Sequence, residues 1–191
     1  MNARKGLIGV LSIALAALSS VAPTTDLIAG YRPSAREQAV HALLERVAKS
    51  LVKRHPIRQI GTSVAMPGGD VRILGLEFQI LGPLTKDQLR AVVVDCAQIF
   101  LPQVNADEKV RPSLNHYPFG IEDIEMTFFV IDSTGRDVQA PHIGIAGIKR
   151  GLLDYWILQD EGKDTPLLEE RVVESYAEAL EALKQHQEGP A

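Results

Sequence analysis

The chain has 191 residues, 46% of them hydrophobic and 23% charged, with a formal net charge of -4. These are values of a globular protein with a real core, and they exclude wholesale disorder. The charge is uneven: residues 1–60 hold nine Lys/Arg against three Asp/Glu, and residues 61–191 hold eleven against twenty-one. An acidic body argues against binding along a phosphate backbone, so no nucleic-acid partner is expected.

The first residues predict a destination. Arg4 and Lys5 precede an apolar, uncharged run over 7–18, and Ala17-Leu18-Ser19 has small residues at its first and third positions. That is the pattern of a secretory signal peptide over 1–19, and it predicts export to the periplasm or the extracellular space. The run is short for a membrane span, which needs about 20 residues; an uncleaved anchor is the rival reading. Residues 20–32 read as a flexible lead, 33–186 as one α+β domain, and 187–191 as a disordered tail.

Ser34, with Glu37 three residues on, predicts the start of a helix that ends at His55-Pro56. Ala39, Leu43, Val47 and Leu51 recur every four residues and give it a core-facing stripe. Arg46, Lys49, Lys53 and Arg54 crowd its second half. Those cations suit the negative end of a helix; the sharper reading is a surface for an acidic partner or a transient contact with anionic lipid, alongside the signal segment. Strands are expected over 57–66 and 71–81, paired as a hairpin across Pro67-Gly68-Gly69-Asp70. Thr85 caps a second helix, expected from Lys86 to Leu101. Its apolar face contains Cys96, the only cysteine, which is expected to be buried and inert. A lone cysteine excludes an intramolecular disulfide, a CxxC motif and a Cys-rich zinc site.

Pro102 to Gly120 carries Pro112 and Pro118 and reads as an ordered loop with a short helical turn. A three-strand meander follows over 124–131, 138–148 and 152–158. Its turns are Asp132 to Arg136 and Lys149-Arg150-Gly151. In the first strand Met126, Phe128 and Val130 share the better core face, and Glu125, Thr127 and Phe129 share the other. Asp160 to Thr165 reads as a polar loop. Thr165-Pro166 then predicts the start of a last helix with Leu168, Val172, Tyr176, Ala179, Leu180 and Leu183 as its buried stripe. The fold class is therefore α+β: an antiparallel or mixed sheet of four to five strands, covered by about three helices, with two strands made parallel by a helical crossover.

Motifs of chemistry are few. Asp132-Ser133-Thr134-Gly135 follows an apolar strand, but it has one residue too many for an aspartic protease and no second copy. Gly144, Gly147 and Gly151 lie in a strand and its turn, not between a strand and a helix, so they make no phosphate loop. His41, His55, His116, His142 and His186 include no pair at helical metal spacing. No metal and no cofactor is expected. The place to look for a ligand is the loop carrying His116, Tyr117 and Phe119, together with His142. A hairpin centred on Thr134 would set His142 opposite Met126, near that loop and near Glu122 and Asp123. The functional expectation is a non-catalytic exported module that binds a protein, peptide or small molecule. The alternative is an exported hydrolase using His116 or His142 with a nearby carboxylate.

Overall fold

Ser34 closes a reciprocal capping box: its amide donates to Glu37 Oε2 at 2.7 Å and its hydroxyl accepts from the Glu37 amide at 3.3 Å. This starts α1 (Ala35–Arg54), and the extended His55 before Pro56 stops it. The computed structural model describes residues 32–159 and 167–187, without the side chains of 167–170 and 187. The signal peptide, most of the flexible lead, the polar loop with the Thr165-Pro166 helix start, and all but the first residue of the tail lie outside the described residues.

Next come β1 (Ile57–Ala65) and β2 (Ile73–Leu81), paired antiparallel as expected, then α2 (Lys86–Ala106). α2 opens on a second capping box between Thr85 and Gln88. It leads to β3 (Ile124–Ile131), which lies parallel to β2, as a helical crossover requires. Three more antiparallel strands follow: β4 (Ile143–Lys149), β5 (Leu152–Gln159) and β6 (Leu167–Ser175). The last element is α3 (Tyr176–Gln187). The result is α+β with one six-stranded mixed sheet in the order β1-β2-β3-β4-β5-β6.

All three helices pack on one side of that sheet. Leu43, Val47 and Leu51 of α1, Val93 and Phe100 of α2, and Ala179 of α3 share one core with Leu76, Phe78, Met126, Phe128, Leu153 and Tyr155. Each fully buried aliphatic or aromatic side chain there contributes about 1.5–3 kcal/mol. Phe78 and Phe128 stack with centroids 5.4 Å apart. In β3 every second residue from Ile124 to Val130 is buried, and the intervening ones are half-buried on the opposite side.

Four expectations are corrected. The sheet has six strands, because 167–175 forms β6 along the outer edge of β5 and not the first half of a helix. An unpaired β5 edge supplies a ladder of hydrogen bonds that local helix periodicity cannot outweigh. The helix begins only where Ser175 and Glu178 form a third capping box, at 2.6 and 3.2 Å. Second, α2 runs through Pro102 to Ala106. The proline costs about 3 kcal/mol, but burial of Phe100 and Val104 on the same helix offsets it. Third, β4 starts at Ile143, not at Val138. Fourth, β2 starts at Ile73; Val71 makes only an isolated bridge to Leu114.

Candidate functional site

The loop before β3 is held by Asn105 at the end of α2. Its amide nitrogen donates to the Phe119 carbonyl at 3.0 Å, and its oxygen accepts from the Phe119 amide at 2.8 Å. Phe119 is buried at 2% exposure, whereas Tyr117 is 54% exposed with Arg111 over its ring. The two rings expected to act together thus have different jobs: one plugs the core and the other faces water. His116 leans on Phe119 with centroids 5.4 Å apart, and its Nε2 lies 2.9 Å from Asp123 Oδ2. Asp123 is nearly buried, and the same oxygen also accepts from the Gly120 amide at 2.7 Å.

His142 is not part of this group. Met126 pairs with Ile148 and Phe129 with Ile145, so His142 stands beyond Ile131 at the far end of β3. The eight residues of β3 separate the two imidazoles by roughly 20 Å or more. The reason is the connection between β3 and β4. Asp132 Oδ1 accepts from the amides of Thr134 and Arg136 and closes a tight loop of its own. Val138 then bonds back to Val130 at 2.8 Å, and Ala140 bonds to Leu158 at 2.8 Å, before β4 begins. Those extra residues slide the register away from a turn centred on Thr134. His142 lies exposed in a groove of about 500 Å³ with Pro83, Arg136 and Val138.

A second histidine–carboxylate pair joins the helices. Arg54 makes a two-pronged contact with Asp95, at 2.6 and 3.0 Å, and His55 Nε2 lies 2.7 Å from Asp95 Oδ2. The Arg54 hydrogen bonds, seconded by His55, hold the Asp95 carboxyl below its usual range. An ionised Asp95 makes His55 Nε2 the donor in this contact. The pair lines a cleft of about 650 Å³ between α2 and α3, with Val92, Leu180 and Lys184. Among the described residues no Ser, Thr or Cys lines that cleft. Cys96, the adjacent residue, is fully buried, and burial pushes its thiol up to about 12. His55 and Asp95 lie forty positions apart in sequence, and only the packing of α1 on α2 unites them. Among the described residues no three His, Cys, Asp or Glu side chains gather as a metal site.

The broadest feature is the side of the sheet away from the helices. Register places Arg58, Gln79, Phe129, Ile145, Trp156 and Arg171 side by side across all six strands. Ile131 and Leu81 stand next to each other one row further on, with Leu81 60% exposed. On the other flank the row runs through Glu77, Thr127, Gly147 and Asp154 and ends on Val173, which is 43% exposed. Arg171 lies 4.9 Å over the Trp156 ring and 3.1 Å from Asp154. Glu125 and Lys149 pair at 3.4 Å. Gly147 keeps β3 and β4 close, since a Cβ there would lie 2.5 Å from the Met126 carbonyl oxygen. Alternation in β3 makes Phe129 legible as facing away from the core; the continuous row is a product of registers that no single strand encodes. Comparison with protein-family models, with curated proteins and with solved structures gave no match for this chain.

Proposed function

We propose that this chain is a non-catalytic interaction module, exported by its first nineteen residues, that takes a protein partner on the uncovered face of its sheet. One observation carries the reading: an apolar row of Phe129, Ile145 and Trp156, continued by Ile131 and Leu81, on the side where no described helix packs. Contiguous apolar surface rimmed by polar residues is a mark of binding surfaces, whereas single exposed apolar residues are not. The trials are a photo-crosslinking side chain at Ile145 and, as a control on the helix layer, at Glu181, with both proteins made in the producing cell. Covalent adducts should form from Ile145 and not from Glu181. Equal or no labelling at Ile145 would defeat the reading. Fractionation of the same cells tests export, since cytoplasmic protein with an intact Met1 contradicts it.

The alternative, an exported hydrolase, draws on the His116–Asp123 pair at 2.9 Å. Under that reading His116→Ala removes turnover of an ester or amide substrate without lowering thermal stability. His142 does not share in it.

A further inference from the structure

We infer that the partner on the uncovered face is a second copy of this chain, docked sheet to sheet. The inference rests on the reading of that face as a binding surface and names its occupant.

Size is the first argument. Six strands, about 4.8 Å apart and about seven residues long at about 3.3 Å each, make a face of about 600 Å². Two such faces offer about 1,200 Å² in total, the lower end of the range of specific, stable interfaces, of which only the outermost corners stay in water. The second argument is charge. The chain is acidic overall, and residues 61–191 hold twenty-one Asp/Glu against eleven Lys/Arg. Two copies therefore repel across most of their surfaces. The uncovered face is the exception. Its charges cancel within one copy: Asp154 is paired with Arg171 and Glu125 with Lys149, and the remaining two, Glu77 and Arg58, are opposite in sign. Arg58 bonds to Gln79 within the same row. Such a face asks no counter-charge of its partner and suits an apolar surface of its own kind. A strongly basic or acidic partner would find its charges unanswered there.

Symmetry is the third argument. A two-fold contact is self-complementary, so the residues at its centre must tolerate each other. The middle of the row is Phe129 and Ile145, on the neighbouring strands β3 and β4. A half-turn about an axis running between those strands sets Phe129 of each copy against Ile145 of the other. Arg58 and Arg171 then fall at the outer corners, which the usual crossing of about 30° between packed sheets keeps apart and in water.

The experiment is sedimentation velocity over a dilution series, on protein purified from the producing cell, for wild type and Ile145→Lys. Trp156 is the only tryptophan, so its emission reports the same face directly. The wild type should sediment as a dimer that dissociates on dilution, with Trp156 emission moving to longer wavelength. Ile145→Lys places two cations at the centre and should weaken the dimer by about a hundredfold, with the circular dichroism of the wild type. If that variant does not fold, the dilution series of the wild type and its tryptophan shift decide alone. A dimer indifferent to Ile145→Lys, or one whose dissociation leaves Trp156 unmoved, would overturn the inference. A wild type that stays monomeric, with Ile145 adducts of some mass other than twice the chain, would overturn it and leave the binding reading standing. Monomer without adducts would remove both.

Discussion

Glu174→Gln is the substitution that most directly probes how β6 is held. Glu174 reaches from β6 under α2, where its carboxylate accepts from Arg90 Nε at 2.8 Å, Arg90 Nη2 at 2.9 Å and the Tyr155 hydroxyl at 2.6 Å. Lys86 Nζ lies 3.2 Å away. Burial by itself would raise the Glu174 pKa; the hydrogen bonds from Arg90, Tyr155 and Lys86 outweigh it and hold the group at about 2. The fall from an ordinary 4.5 to about 2 is worth at most about 3 kcal/mol at 1.36 kcal/mol per pH unit. Solvent reaches Lys86, and screening brings the expected share to about 2 kcal/mol. Glutamine keeps the shape but leaves the largely buried Arg90 guanidinium with only Asp87 as a counter-ion.

Urea unfolding at pH 7 should therefore show a loss of about 2 kcal/mol for Glu174→Gln. The pH dependence has a definite sign. A carboxyl whose folded pKa is depressed stabilises the fold fully above its unfolded value, and the contribution fades as pH falls toward the folded value. The gap between wild type and variant should thus be constant above about pH 4.5 and close between there and about pH 2. A gap under about 0.5 kcal/mol, the worth of an ordinary surface pair, would refute the reasoning. So would a gap that survives acid unchanged.

Three further outcomes follow from the burial or backbone conformation of particular residues. Cys96 should label slowly with thiol reagents in the native protein and fast in denaturant, and Cys96→Ala should cost about 1 kcal/mol by thermal unfolding. Phe119→Ala should lose about 3–4 kcal/mol, while Tyr117→Ala should lose less than about 1 kcal/mol; equal losses in chemical denaturation would show that the two rings share one role after all. Gly151→Ala should destabilise the β4–β5 hairpin by about 1 kcal/mol in the same assay, because Gly151 sits at φ 73°.

The parts of this fold that sequence discloses are those in which local and long-range forces agree. Ser34 with Glu37 caps α1, the helix stops at His55-Pro56, and β3 spans 124–131 as its alternation predicts. Where the two disagree, the long-range force wins. Leu168, Val172 and Tyr176 repeat with helical period, yet only Tyr176 is in a helix. Ser175 with Glu178 three residues on is itself a boundary signal, and it competes with the earlier start that Pro166 offers. The His142 error has another source. Asp132 closes its loop with its own side chain, and a tight turn there looks like the end of a hairpin. That a further stretch of chain intervenes before β4 is decided by Val138 and Ala140 bonding to other strands, which local composition does not report. The row across the side of the sheet away from the described helices is illegible for a related reason. A strand's pattern shows that it has two sides, but not which neighbours continue each side or what covers them.

The basic half of α1 shows how packing reassigns a sequence feature. Read in isolation, Arg46, Lys49, Lys53 and Arg54 form a cationic surface. In the fold, Arg46 pairs with Asp107 and Arg54 with Asp95, both at the carboxyl side of α1's neighbour α2 or within it, and Lys49 lies 4.0 Å from Glu45. Of the four, Lys53 has no carboxylate beside it among the described residues. The pairs are part-exposed, so each stabilises by no more than about 1 kcal/mol. Their directional effect matters more. Arg46 and Arg54 tie α1 to α2 at two points, Asp107 just past its end and Asp95 within it, and α1 in turn packs on β1 and β2. Attraction to anionic lipid runs at about 1 kcal/mol per free cation near the surface. The engaged arginines have less of their charge free for such attraction than Lys53, which no carboxylate pairs among the described residues. Arg46 and Arg54 thus serve the packing of α1 on α2, a role that their spacing along a single helix does not disclose.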